Sequence, residues 1–146
     1  DEIMAEWMEM AGDLYTTSVP VKPGVVDYLE KCKAAGERMA VLTSSVPAHC
    51  HAALGHLGLK PYFEQIYFAQ ELGMDKKDPA IYEKTARLLG VSPEACTIFD
   101  DSIAACRSAR AAGMTVVGVY DEFFHVAWDE MQAVCHRCIR SFEELV

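Results

Sequence analysis

Positive charge is scarce in this sequence, and long apolar runs are missing altogether. The 146 residues carry 13 Lys and Arg against 22 Asp and Glu, a formal net charge of -9. This surplus of negative charge repels a phosphate backbone and an anionic membrane, so neither nucleic acid nor a membrane is an expected partner. No apolar run approaches the ~20 residues of a membrane-spanning helix, and no basic segment followed by an apolar one opens the chain. We therefore expect a soluble, cytoplasmic protein.

A disulfide framework and a cysteine metal site are also not expected. Without a secretion signal, the six cysteines fit reduced thiols that pack in the core. The segment Cys135-His136-Arg137-Cys138 is a lone Cys-x-x-Cys with no second pair for zinc. It precedes a predicted strand, whereas a thioredoxin-like redox pair opens a helix. His49 and His51 lack the i, i+4 spacing of a two-histidine site. We predict that the cysteines serve packing and that the histidines are surface or partly buried side chains.

What the sequence does contain is a regular alternation of short apolar runs and amphipathic segments after Gly24. Two-residue hairpin turns are missing, which favours a mostly parallel sheet covered by helices on both faces, an α/β fold. The predicted strands are Met39–Thr43, Gln65–Ala69, Cys96–Asp100, Thr115–Tyr120 and Cys138–Arg140, and the predicted helices are Val25–Ala35, Ala48–Leu57, Pro79–Leu89, Ile103–Ala112 and Phe124–Val134.

The beginning of the chain has a different pattern. From Ile3 to Tyr15 apolar residues recur at helical spacing between acidic ones, which predicts an amphipathic helix. The following stretch, Val19 to Gly24, contains two prolines that cannot continue a helix, so it is interpreted as a linker.

Polar side chains cluster where the predicted strands end. Thr43-Ser44-Ser45 follows the first predicted strand, Asp100-Asp101-Ser102 follows the third, and Lys76-Lys77-Asp78 lies before the helix at Pro79. Ligands of open parallel sheets bind beyond the carboxyl ends of the strands. Hydroxyls, an ammonium and two carboxylates suit a phosphate with a magnesium ion. Each segment also has a simpler explanation, since serines and Asp101 can cap helices and lysines can be solvated loop charges.

These segments resemble motifs of the haloacid dehalogenase (HAD) superfamily, specifically its phosphatases and phosphomutases with a helical cap. Met39-Ala40-Val41-Leu42-Thr43-Ser44-Ser45 is similar to the second motif, and Lys76-Lys77-Asp78-Pro79-Ala80-Ile81-Tyr82 is similar to the third. Thr97-Ile98-Phe99-Asp100-Asp101-Ser102 is similar to the fourth. The resemblance implies a Rossmann-like core over residues 19–146 and a remnant of the cap, its last helix, over residues 1–18.

The resemblance also implies a role for each site residue. Asp100 and Asp101 would ligate Mg²⁺, Thr43, Ser44 and Ser45 would bind the phosphate, and Lys76 would offset its charge, with Lys77 as the alternative lysine. The activity implied is hydrolysis of a small phosphorylated metabolite through an aspartyl-phosphate. The acidic pair favours phosphoryl transfer over dehalogenation, which needs no metal on this scaffold.

One motif of the family has no counterpart in these residues. The family's nucleophile lies in an Asp-x-Asp segment at the end of the first strand, and no Asp-x-Asp occurs in the 146 residues. We therefore expect the chain to be a fragment that lacks the first strand and is inactive alone. The central gap would then be filled by a separate N-terminal segment or by a second copy of the chain, or the two neighbouring strands would pair directly.

Two other functions remain to be weighed against a phosphatase. A non-catalytic module could keep the phosphate and metal site for binding or regulation, and an Asp-x-Asp-x-Thr segment upstream of Asp1 would argue against it. A signalling receiver domain also combines an acidic pair, a hydroxyl and a lysine on a parallel sheet. Its acidic pair comes first in the chain, whereas the order here is Thr43, Lys76, Asp100.

Overall fold

The protein is built around one parallel six-stranded sheet. The computed structural model describes residues 3–6, 24–44, 47–56, 58–120 and 126–145. The strand order is β3-β2-β1-β4-β5-β6, and every neighbouring pair is parallel. The strands are β1 (Ile3–Glu6), β2 (Arg38–Thr43), β3 (Gln65–Phe68), β4 (Cys96–Asp100), β5 (Thr115–Val119) and β6 (Arg137–Ile139). The predicted α/β class is confirmed.

The start of the chain corrects the sequence-based prediction. Ile3–Glu6 is a strand, so the helix predicted from Ile3 is wrong for these residues, while residues 7–18 lie outside the described ranges. This strand pairs with β2 on one side and β4 on the other. The expected gap in the core domain is therefore filled by the chain itself. Because β2 and β4 both offer unsatisfied backbone groups at this position, pairing on two sides outweighs helical periodicity over four residues.

Helices cover both faces of the sheet. They are α1 (Val25–Ala34), α2 (Pro47–His56), α3 (Ala69–Leu72), α4 (Pro79–Leu88), α5 (Ile103–Ala111) and α6 (Trp128–Val134). Short 3₁₀ turns occupy residues 60–62, 93–95 and 142–145. None of the helices in the described part of the chain combines the length and apolarity needed to cross a membrane. Within those residues the predicted boundaries are confirmed to within a few positions, except that α3 was not predicted.

The alternation of side chains along the strands divides the core in two. Ala40, Leu42 and Ile98 pack under α4, α5 and α6, a side that we call the α4–α5 face. Met39, Val41 and Phe99 pack under α1 and the carboxyl-terminal turn, which we call the α1 face. Alternate residues point to opposite faces of a strand. Asp100 therefore shares the α4–α5 face with Ile98.

A close backbone contact fixes the α1 face at its edge. The turn at residues 142–145 packs on α1, and Gly24 precedes that helix with φ of 83°. A Cβ at Gly24 would lie 2.4 Å from the backbone nitrogen of Glu143. Only glycine allows both the positive φ and this approach. Phe142 thereby reaches Tyr28 and Phe99, with ring centroids 5.7 and 5.6 Å away.

Candidate active site

The predicted hydroxyl and acidic residues lie at the same edge of the sheet, where β2 and β4 end. Thr43 ends β2 and Asp100 ends β4, with β1 between the two strands. Ala5 pairs with Ala40 on one side and with Ile98 on the other. Because the strands are parallel, this register puts the ends of β2 and β4 at the same edge, two strand spacings or about 10 Å apart. Thr43 and Asp100 are both buried.

A buried ion pair is the centre of this edge. Lys76 Nζ lies 2.9 Å from Asp100 Oδ2. The lysine is 5% exposed and the aspartate 1% exposed, and Asp101 beside it is 7% exposed. The other carboxylate oxygen of Asp100 accepts a 2.8 Å hydrogen bond from the Ser102 backbone nitrogen. A loop lysine is almost never buried unless it is paired, so this contact separates Lys76 from an ordinary solvated lysine.

Two buried hydroxyls hold the segment that carries Lys76. Tyr82 Oη, on α4, donates to the Lys76 carbonyl at 2.9 Å. Ser108 Oγ, on α5, donates to the Lys77 carbonyl at 2.5 Å. Burial, with a smaller effect from Asp100, raises the pKa of Tyr82, so its hydroxyl stays protonated as a donor. Neither residue was predicted as part of the site, because a hydroxyl that binds a backbone carbonyl has no signature in sequence spacing.

The helix that follows also stabilises this segment. The Asp78 side chain accepts a hydrogen bond from the Ala80 backbone nitrogen at 3.0 Å and so caps α4. Pro79 occupies the first helical position, where its missing N–H costs nothing. The turn is further closed by a 2.8 Å bond from the Lys77 backbone nitrogen to Asp75 Oδ1. These local bonds set the point at which α4 begins, and thus the height of Lys76 above the sheet.

Of the other predicted site residues, two are exposed and one lies outside the described part of the chain. Lys77 is exposed, so the geometry favours Lys76 as the lysine of the site. Ser44 follows the buried Thr43 and is itself exposed. Ser45 lies outside the described residues.

The donor set at this edge fits magnesium. Asp100 and Asp101 supply hard carboxylate oxygens, and Mg²⁺ in proteins typically takes one or two carboxylates, with water and phosphate oxygens completing its shell. Within the described ranges, no cluster of three or more His, Cys, Asp or Glu could hold a metal.

Comparison with known proteins defines the class of this fold and site. A family model of haloacid dehalogenase-like hydrolases matches residues 4–113. The chain belongs to this family, and the resemblance drawn from its motifs is confirmed. A solved structure of a HAD family hydrolase from Deinococcus radiodurans R1, with bound phosphate and sodium, superimposes with a TM-score of 0.76 at 28% identity. The match covers 89% of this chain and 59% of that one.

Two curated relatives are also similar to this chain. Protein CbbY of Rhodobacter capsulatus is 36% identical over 108 residues, covering 72% of this chain and 48% of the relative. The fructose-1-phosphate phosphatase YqaB of Escherichia coli (strain K12) is 40% identical over 81 residues, covering 56% of this chain and 43% of the relative. The chain thus spans about half the length of these relatives.

Proposed function

We propose that this chain forms the phosphate- and magnesium-binding core of a HAD-type phosphatase that acts on a small phosphorylated metabolite. The buried pair of Lys76 Nζ and Asp100 Oδ2, 2.9 Å apart, is the observation that carries this proposal. Burying two charges costs several kcal/mol per ion, so a buried pair is poorly explained by stability alone and is better explained by a role in binding. The name of the Escherichia coli relative, a sugar-phosphate phosphatase, supports a phosphorylated sugar as the substrate class.

Each site residue has a defined task in this proposal. Asp100 and Asp101 hold Mg²⁺, which supplies neutralisation of phosphoryl oxygens when bound. The Thr43 hydroxyl and the Ser44 backbone nitrogen, at the end of β2, donate hydrogen bonds to phosphoryl oxygens, with Ser45 beside them. Lys76 adds a fixed positive charge at the same edge. Phosphoryl transfer depends mainly on such positioning and charge neutralisation.

The attacking group is the part that this sequence does not offer. The family's nucleophile is an aspartate in an Asp-x-Asp segment, and none occurs in the 146 residues. We therefore propose that the 146 residues bind phosphate and magnesium without turnover. The same lack of a nucleophile favours a second candidate, a non-catalytic binding or regulatory module with this site intact.

A binding experiment tests the proposed site directly. Calorimetric titration of the purified chain with inorganic phosphate, with and without MgCl₂, is expected to show magnesium-dependent binding. Asp101→Asn removes one metal ligand and is expected to weaken that binding at least tenfold, which is about 1.4 kcal/mol. Asp27→Asn, an exposed carboxylate on α1, is the matched control and is expected to bind like the parent. Equal affinity in Asp101→Asn and the parent would contradict the site.

Turnover is tested separately. The purified chain is expected to give no magnesium-dependent release of phosphate from a generic aryl phosphate. Hydrolysis that Asp101→Asn abolishes would show that the chain supplies its own nucleophile. That result would reject the inactive part of the proposal and leave the binding site in place.

A further inference from the structure

Three cysteines that are distant in the sequence meet beside the candidate active site. Cys106 lies on α5, Cys135 ends α6, and Cys138 is in β6. The Cys106 and Cys138 thiols lie close enough to Cys135 to influence its pKa, and Cys106 and Cys135 belong to the same buried cluster. The sequence alone predicted packing for these residues, because the third thiol is 29 positions or more away along the chain from the Cys-x-x-Cys segment.

A glycine makes room for this cluster. Gly118 in β5 lies opposite Asp100 on one side and opposite Cys138 on the other. A Cβ on Gly118 would lie 2.9 Å from Cys135 Sγ and 3.1 Å from Cys138 Sγ. Both sulfurs therefore lie beside the space that a Cβ would occupy at Gly118, and a side chain at this position would push them away. Cys106 Sγ also contacts the Asp100 carbonyl oxygen, at 3.7 Å.

We propose that Cys135 and Cys138 are a reversible dithiol/disulfide pair, with Cys106 as a supporting thiol, and that a hydroperoxide oxidises them. The two cysteines are adjacent in a Cys-x-x-Cys segment, and their sulfurs meet over Gly118. Cys138 is half-buried, Cys135 is 7% exposed and Cys106 is fully buried, so a peroxide reaches the pair from the side of Cys138, a route that Cys106 lacks. A soft metal ion is the other occupant of clustered thiols, but the described residues contain no group of three that could hold one.

The electrostatics of the cluster support this assignment of roles. Interactions with the Cys106 and Cys138 thiols lower the pKa of the Cys135 thiol against the opposing effect of burial. Burial raises the pKa of Cys138 to about 11, which keeps that thiol protonated. The thiolate is the reactive form of cysteine, so Cys135 is the attacking sulfur.

The oxidation proceeds in two balanced steps. The Cys135 thiolate attacks one peroxide oxygen, and the O–O bond breaks. Hydroxide leaves, and a sulfenic acid remains on Cys135. The Cys138 sulfur then attacks the sulfenyl sulfur, the S–O bond breaks, and the hydroxyl leaves with the Cys138 proton as water. The two sulfurs lose two electrons in total, and the peroxide gains them. A dithiol reductant reverses the reaction by thiol–disulfide exchange.

Peptide mapping of the intact chain tests the proposal. After treatment with hydrogen peroxide, blocking of free thiols and tryptic digestion, the peptides ending at Arg137 and beginning at Cys138 are expected to remain linked. Dithiothreitol is expected to separate them. Cys50, a buried thiol outside the cluster whose pKa burial raises to about 11, is expected to stay reduced and provides the internal control. Linkage of Cys106 to Cys135, or no linkage at all, would overturn the proposal.

Two variants complete the test. Cys138→Ala is expected to lose the intramolecular disulfide and to accumulate sulfenic acid on Cys135, detected by a dimedone adduct. Cys106→Ala is expected to retain the linkage between Cys135 and Cys138. Loss of that linkage in Cys106→Ala would also overturn the assignment. The mapping of the parent chain requires no substitution, so the proposal stays testable if a variant fails to fold.

Discussion

The two faces of the sheet use the same strands but bury different kinds of side chain. On the α1 face, buried apolar and aromatic residues such as Leu29 and Phe142 pack together. On the α4–α5 face, the apolar core ends in a buried ion pair, two buried hydroxyls and the thiol cluster. We infer that the α1 face provides stability, and that the α4–α5 face gives up part of its stability to position reactive groups.

The largest expected effect comes from breaking the buried ion pair. Lys76→Met leaves the Asp100 carboxylate buried without this cation and is expected to lower the free energy of unfolding by about 3–5 kcal/mol. Urea denaturation at neutral pH measures the change. Adding Asp100→Asn to Lys76→Met is expected to restore part of the loss, because no uncompensated charge is then left in the core.

The surface pair of Arg38 and Glu64 is the matched control for that prediction. Arg38 Nη2 lies 2.7 Å from Glu64 Oε1, and the side chains are 44% and 38% exposed. Because solvent screens exposed pairs, Glu64→Gln is expected to cost less than about 1 kcal/mol. Equal losses in Lys76→Met and Glu64→Gln would remove the energetic distinction that we draw for the buried pair.

Truncation on the α1 face is expected to change stability alone. Leu29 is fully buried on α1, so Leu29→Ala is expected to lower the free energy of unfolding by about 2–5 kcal/mol. Its magnesium-dependent phosphate affinity should equal that of the parent when both are folded. Val26→Ala, at an exposed position of the same helix, is expected to stay within about 0.5 kcal/mol. A large loss of phosphate affinity in Leu29→Ala would break the division between the faces.

A smaller effect is expected from the hydroxyls that hold Lys76. Ser108→Ala removes the hydrogen bond to the Lys77 carbonyl and is expected to cost about 1 kcal/mol of stability. Because that carbonyl neighbours Lys76, phosphate affinity should fall as well. Ser92→Ala, at an exposed serine, is the control and should change neither quantity. Unchanged affinity in Ser108→Ala would show that the bond serves folding alone.

Sequence patterns predicted the fold well where the local signal and the tertiary environment agree. The apolar run of β4 and the helical period of α5 each mark an element that is buried on the expected side. Ile3–Glu6 is the exception, because its strand is stabilised by two neighbours that the local pattern does not contain. A helix over four residues would form about one turn, and that first turn is costly to form, so strand pairing on both sides is more stable.

The candidate site shows the same limit of local sequence patterns, which do not contain tertiary contacts. Motif order was enough to bring Lys76, Asp100 and Asp101 to one edge, and the roles of these residues and of Thr43, Ser44 and Ser45 stay predictions. What the sequence could not show is the choice between Lys76 and Lys77, which depends on burial. The contacts of Tyr82 and Ser108 and the meeting of three thiols depend on helix packing, which leaves no fixed spacing along the chain.

The smallest predicted effect lies at the edge of the α1 face and depends on pH. Glu144 Oε2 accepts hydrogen bonds from the backbone nitrogens of Arg140 and Ser141, at 2.6 and 3.1 Å, and these bonds lower the pKa of Glu144. A carboxyl with a lowered pKa stabilises the folded state above its ordinary pKa, and this contribution is lost as the pH falls through the lowered value. Glu144→Gln should therefore be less stable than the parent at neutral pH, and the difference should shrink in acid. Glu83→Gln, an exposed glutamate on α4, is the control. A stability difference for Glu144→Gln that does not depend on pH would show that the turn is held by packing of Phe142 instead of by this carboxylate.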